Sequence, residues 1–144
     1  MKTKYTSLVS VKKNIMQKSE RELQNANANL KSAQSAYDAS LTLLNDIPSP
    51  TSGQISNFLS ARALLDSQRV IIEHNKEWIL FTKREIESAK ESLKKSMIEY
   101  EKFKYLELEE IKKVLTKRKQ QEAKDLDEIA LMTYENKRIL KEVS

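Results

Sequence analysis

The residues able to act as a base or hold a metal are few, and the single histidine, His74, heads them. Alone it can do little. A metal centre needs three or four converging ligands, and nucleophilic catalysis needs a base within hydrogen-bond reach of its nucleophile. The chain has no cysteine, which excludes disulfides and thiolate metal sites and fits a reducing cytoplasm. The carboxylate pairs Glu109-Glu110 and Asp127-Glu128 are the remaining candidates for acid–base work. Neighbouring residues project about 100° apart on a helix, so each pair reads as two solvated charges. One glycine in the whole chain rules out a Gly-rich phosphate loop. The sequence therefore predicts no catalytic residue, no cofactor and no metal. No enzyme is expected.

What remains is the chemistry of binding. Lys112, Lys113, Lys117, Arg118 and Lys119 put five basic residues into eight positions, a stretch that could meet an acidic protein surface, RNA or anionic lipid. No aromatic residue alternates with them, so base stacking is poorly supported and an acidic protein is the better partner. Farther upstream, Trp78, Leu80 and Phe81 place large apolar groups around much of one helix, with Val70 nearby. Aromatic and apolar residues grouped in this way are typical binding anchors, or else are covered by a further helix.

These residues must be carried by helices. Charged residues make up 33% of the chain and aromatics 6%, and the only glycine and both prolines fall within residues 48–53. Proline and glycine punctuate a chain, so the rest is free to be continuous helix. The spacing predicts helix 1 over about residues 3–47, a turn over 48–53 and helix 2 over about 54–140. In heptads, the a positions of helix 1 are Val9, Met16, Leu23, Leu30, Tyr37 and Leu44. Its d positions are Tyr5, Lys12, Ser19, Ala26, Ala33, Ser40 and Ile47. Helix 2 repeats Phe58, Leu65, Ile72, Ile79, Ile86, Leu93 and Tyr100 at a, over Ala61, Gln68, Asn75, Thr82, Ala89, Ser96 and Phe103 at d. A sustained period of seven means a left-handed coiled coil.

The fold class is thus all-α: an antiparallel coiled-coil hairpin of two long helices, forming a single domain over residues 1–144. Large a residues meet small d residues, which lets the helices approach closely. A short turn predicts pairs whose numbers add to 105, such as Ala33 with Ile72 and Ala26 with Ile79. In that register Leu30–Asn75 and Tyr37–Gln68 are the less apolar layers. A capping box from Thr51 to Gln54 should open helix 2. Helix 1 is exhausted near residue 103, so nearly forty residues of helix 2 overhang by on the order of 55 Å at 1.5 Å per residue. The overhang keeps an apolar seam of Leu108, Ile111, Leu115, Leu126, Ile129 and Leu140, and a stripe with no internal partner marks a binding surface.

The e positions of helix 2 form a basic ridge of Arg62, Arg69, Lys76, Lys83, Lys90 and Lys104, interrupted by Met97. Asp66, Glu73 and Glu87 stand at the right spacing to neutralise part of it, and a solvated flank explains it best. The net charge of +5 is mild beside 47 charged residues and does not by itself indicate nucleic acid. The first residues show no signal peptide, and no window reaches the 18–20 apolar residues that cross a bilayer. A soluble protein is expected.

The stretch Glu122, Ala123, Lys124, Asp125, Leu126, Asp127, Glu128, Ile129, Ala130 resembles the Q/E-x-K-x-L/M-D-E-I/F-A segment near the end of FliJ proteins. Length, the early single turn and the long second helix are also similar to that family, over essentially the whole chain. The Asn-rich run over residues 25–29 departs from it. The resemblance implies a non-enzymatic stalk and adaptor of the flagellar type III export apparatus, cytoplasmic and peripheral at the inner-membrane base of the flagellum. It implies as partners the export ATPase (FliI-like), whose ring it enters and whose assembly it promotes, the export gate protein FlhA, and export chaperones. No nucleic acid is expected. Lys124, Leu126, Asp127, Glu128 and Ile129 would then face the ATPase, together with the basic Lys112, Lys113, Lys117, Arg118 and Lys119. The gate contact would lie on Ala63, Ser67, Val70 and His74, extended by Trp78, Leu80 and Phe81. The readings that compete are a coiled-coil scaffold dimerising through the overhang and a basic arm binding nucleic acid.

Overall fold

The structure is a computed structural model and describes residues 2–143. It contains two helices packed against each other and, among the described residues, no strand. They are α1, Thr6–Asp46, and α2, Ile55–Val143. The prediction of an all-α coiled-coil hairpin holds. Contacts divide the chain into two units: Lys13–Ile98, which holds the turn, and the residues up to Lys12 with those from Glu99 onward.

Local chemistry explains the ends of the helices. Ahead of α1, the amide of Tyr5 donates to Thr3 Oγ1 (3.1 Å) and the amide of Thr3 to Thr6 Oγ1 (2.8 Å). Each threonine thereby serves a backbone donor that the first turn leaves orphaned. After Asp46 the chain reaches Pro48, whose ring disfavours helical geometry in the residue before it. The α2 start differs from the expected capping box. Ile55 is the first helical residue, so Gln54 and not Thr51 stands at the cap, and the Asn57 amide takes the Gln54 carbonyl at 3.0 Å.

Gly53 has φ +133°, and a Cβ added there would come within 2.9 Å of the Asn57 side-chain nitrogen. Gly53→Ala is expected to destabilise the turn by about 1 kcal/mol or more, the usual consequence of forcing an L-residue into positive φ. A thermal melt followed by circular dichroism would show it.

In the Lys13–Ile98 unit the heptad reading locates the seam residue by residue. From Met16 to Leu44 on α1, and from Ala61 to Ser96 on α2, every a and d position is buried or half-buried. The depth ordering is the inverse of an ordinary coiled coil. On α1 the deepest residues are the small ones, Ser19, Ala26, Ala33 and Ser40, with Ala33 wholly inaccessible. The large a residues of α1 are only half-buried. Small side chains at every seventh position let two backbones come close, and the bulky neighbours then cover the contact from its sides.

The close approach is visible in two hydrogen bonds that cross the seam. Gln68 Nε2 donates to the Ser40 carbonyl (2.8 Å) and Asn75 Nδ2 to the Ala36 carbonyl (3.2 Å). These pairs have numbers adding to 108 and 111, and the Lys12–Glu99 ion pair also adds to 111, all above the predicted 105, so the helices are slid outward from that register. The expected pairing of Asn75 with Leu30 and Gln68 with Tyr37 is therefore replaced. Two buried amides that reach a facing backbone satisfy themselves, and no buried side-chain polar atom among the described residues lacks a partner. The slide leaves the start of α2 uncovered. Residues 51–60 are all exposed, and Phe58, expected as the first core residue of helix 2, is 43% accessible.

These amides fix register more than they add stability. Replacing both, Gln68→Leu with Asn75→Leu, removes two hydrogen bonds of about 1 kcal/mol each and gains apolar burial of at least that size. The double variant is expected to melt no lower than the parent and to populate shifted registers. Spin labels on the two helices would report a broadened distance distribution in place of a single one.

In the other unit the first residues of the chain lie along α2 beyond Glu99. Lys12, a charged residue at a d position, bonds Glu99 at 3.6 Å and stands 5.5 Å above the Phe103 ring. A half-buried cation is tolerated there because it has both an anion and an aromatic face. From Leu115 to Val143 every residue is exposed.

Candidate protein-binding surfaces

His74 is exposed, as its c position predicts, and the described residues contain no cluster of His, Asp and Glu able to hold a metal. No helix among them is long and apolar enough to cross a membrane. Of the acidic pairs, Glu109-Glu110 is half-buried and Asp127-Glu128 is exposed.

The first surface lies on α2 within the Lys13–Ile98 unit. At 100° per residue, Ala63, Ser67, Val70, His74, Trp78 and Phe81 fall within roughly 80° of arc, and all six are exposed. Leu80 points about a third of a turn away. It is exposed but is not part of the same stripe. His74, Asn75, Glu77, Trp78 and Phe81 line one shallow groove. Val70 and Phe81 are 69% and 56% accessible on a helix whose opposite face is packed. Six of the seven residues proposed from sequence thus share one face.

The basic ridge flanks that unit. Three of its charges are neutralised by the acids that the spacing selected: Arg69 by Asp66 (3.4 Å), Lys76 by Glu73 (3.2 Å) and Lys90 by Glu87 (3.7 Å). Arg62 and Lys83 have no ion-pair partner among the described residues. Pairs this exposed contribute little to stability, but they dilute the positive field that nucleic acid would need.

The second surface is the exposed end of α2. Lys112, Lys113, Lys117, Arg118, Lys119, Lys124, Leu126, Asp127, Glu128 and Ile129 are all exposed. Lys112 bonds Glu109 in the preceding turn at 3.5 Å. The ten residues do not share a face. Lys113, Lys117, Lys124 and Glu128 occupy one side, whereas Lys112, Lys119 and Leu126 occupy the other. Such a segment presents binding groups all the way round and suits a partner that encircles it.

One feature near the C-terminal end was not singled out from sequence. Tyr134, Lys137, Arg138, Leu140 and Lys141 border a depression on the helix surface. Tyr134, Lys137, Arg138 and Lys141 stand at i, i+3, i+4 and i+7, the signal that could have found it, since those positions form one ridge, with Leu140 at its edge.

Compared with known proteins, residues 1–138 match the family model described as flagellar FliJ protein. No curated protein and no solved structure matches the chain.

Proposed function

This chain belongs to the flagellar FliJ family, and from that premise we propose that it is the stalk of the flagellar export ATPase. Membership of the family supports a role in flagellar protein export, and we read that role as non-catalytic. The finer reading is that the exposed end of α2 is gripped by the ATPase ring and promotes its closure into the active hexamer. The observation that carries it is the helix from Leu115 to Val143, in which Leu126, Ile129, Leu131, Met132 and Leu140 are all 57% or more accessible. Apolar groups in that number on one stretch have a use only when a partner covers them. The stretch over residues 122–130 that resembles the family's segment lies in the same part of the helix.

The stripe of Ala63, Ser67, Val70, His74, Trp78 and Phe81 supports a second contact, with the export gate protein FlhA, and export chaperones complete the set of partners. The protein then works in the cytoplasm at the inner-membrane base of the flagellum, as an adaptor between ring and gate.

The test is a pull-down of the export ATPase with this protein, followed by ATPase assays with and without it. Binding with raised turnover and more hexamer is expected. Failure to bind, with turnover unchanged, rejects the stalk.

A further inference from the structure

Beyond the stretch paired with the first residues of the chain, α2 carries a stripe at helical spacing: Leu108, Ile111, Leu115, Lys119, Glu122, Leu126, Ile129 and Thr133. Read from either end, this stripe is nearly the same. Its centre falls between residues 120 and 121, and numbers adding to 241 pair Leu115 with Leu126 and Lys119 with Glu122. Ile111 meets Ile129 and Ala130 with almost the same sum. Except for Leu108, which answers Thr133, apolar positions answer apolar ones, and the cation Lys119 answers the anion Glu122. Arg118 and Asp125 lie together on one flank of the stripe, with numbers adding to 243, two residues off that axis and within reach of long side chains.

A single helix cannot use this symmetry, but two copies running antiparallel can. We propose that, when no ring grips this end, two molecules of this protein associate through residues 108–133 of α2 as an antiparallel pair about a twofold axis near residue 120, an arrangement exclusive of the ring contact because it uses the same residues. Each Leu115 would pack on the partner's Leu126, each Lys119 would meet the partner's Glu122, and each Arg118 the partner's Asp125. Isologous contact of this kind is self-complementary by construction.

Two observations on the page select a second copy as the occupant. Leu108, Leu115, Leu126 and Ile129 are between 44% and 66% accessible, so the stripe is open. Within the chain, Arg118, Lys119 and Glu122 have no ion-pair partner among the described residues, although Glu122 is spaced to reach both cations. Asp125 takes only an amide, from Gln121 at 3.1 Å. The charges are therefore available, and a second copy supplies their complement in the order that an antiparallel pair requires. In a parallel pair the same residues would oppose their own kind.

The experiment uses the full chain, alone, so it is independent of any ATPase. Sedimentation equilibrium is expected to show the 16.7 kDa mass rising toward twice that value with concentration. The pair Arg118→Glu with Lys119→Glu should weaken association by roughly tenfold or more. Because the chain contains no cysteine, Leu115→Cys and Leu126→Cys each introduce a unique thiol. Mixed and oxidised, the two should form a disulfide between one of each, whereas each variant alone should form little. Crosslinking of each with itself would show a parallel pair and overturn the proposal, as would a monomer at every concentration. Circular dichroism of the charge variant guards against misreading a loss of helix as a loss of pairing.

Discussion

A chain ending at Val114 is expected to lose export-ATPase binding and the stimulation that goes with it, while its hairpin melts as before. The physical ground is that binding and folding draw on different residues. Every residue from Leu115 to Val143 is exposed, so deleting them removes no buried side chain. The seam that stabilises the Lys13–Ile98 unit lies wholly upstream. Surface substitutions away from caps and core usually stay within about 0.5 kcal/mol, and removing a segment that buries no side chain should likewise leave the hairpin's melt nearly unchanged. A single hot-spot side chain, by contrast, is worth at least about 2 kcal/mol of binding, or roughly 30-fold in affinity. This segment carries several candidates at once, among them Leu126, Ile129, Arg118 and Lys119. Loss of more than that factor in affinity, with an unchanged hairpin melt, is the expected pair of results. A truncated chain that still raised ATPase turnover would move the ring contact elsewhere on the molecule.

The sequence is legible here to an unusual degree, because a heptad is a geometric statement. Seven residues make almost two turns, so the type at every seventh position decides which side is buried, and every a and d residue from Met16 to Leu44 is buried or half-buried. The three acids chosen to neutralise the ridge are the three that do so. What the pattern does not encode is how far one helix slides along the other. A turn tight enough to keep Phe58 in the core gives the register of 105. The observed register gives up that residue and places Gln68 and Asn75 under facing carbonyls. Loop length was weighed against two polar side chains, and the side chains won. The binding surfaces were partly legible for a related reason. An apolar residue off the seam announces itself, as Val70 and Phe81 do, but Leu80 shows that nearness in sequence is not nearness on a helix.

Ala33→Leu is the second substitution with a large expected effect, and its sign is the test. In a coiled coil with large core residues, replacing a d-position alanine by leucine fills space and stabilises by apolar burial of about 2 kcal/mol. Here Ala33 has no accessible surface, and the adjoining layers are built on Ala26 and Ser40, also buried. Leucine can fit only if the helices move apart. Overpacking of this kind costs about 1–3 kcal/mol. Separation also stretches the Gln68–Ser40 and Asn75–Ala36 hydrogen bonds, each worth about 1 kcal/mol net and more if a buried amide is left unpaired. The sum is a loss of about 3 kcal/mol or more, which lowers the melting temperature by about 10 °C in a protein of this size. Leu43→Ala, at a position 58% exposed on the same helix, serves as the control and should stay within about 0.5 kcal/mol of the parent. A leucine at position 33 that raised the melting temperature would mean the helices are not in close approach, and the two amide bonds across the seam would have to be given up with it.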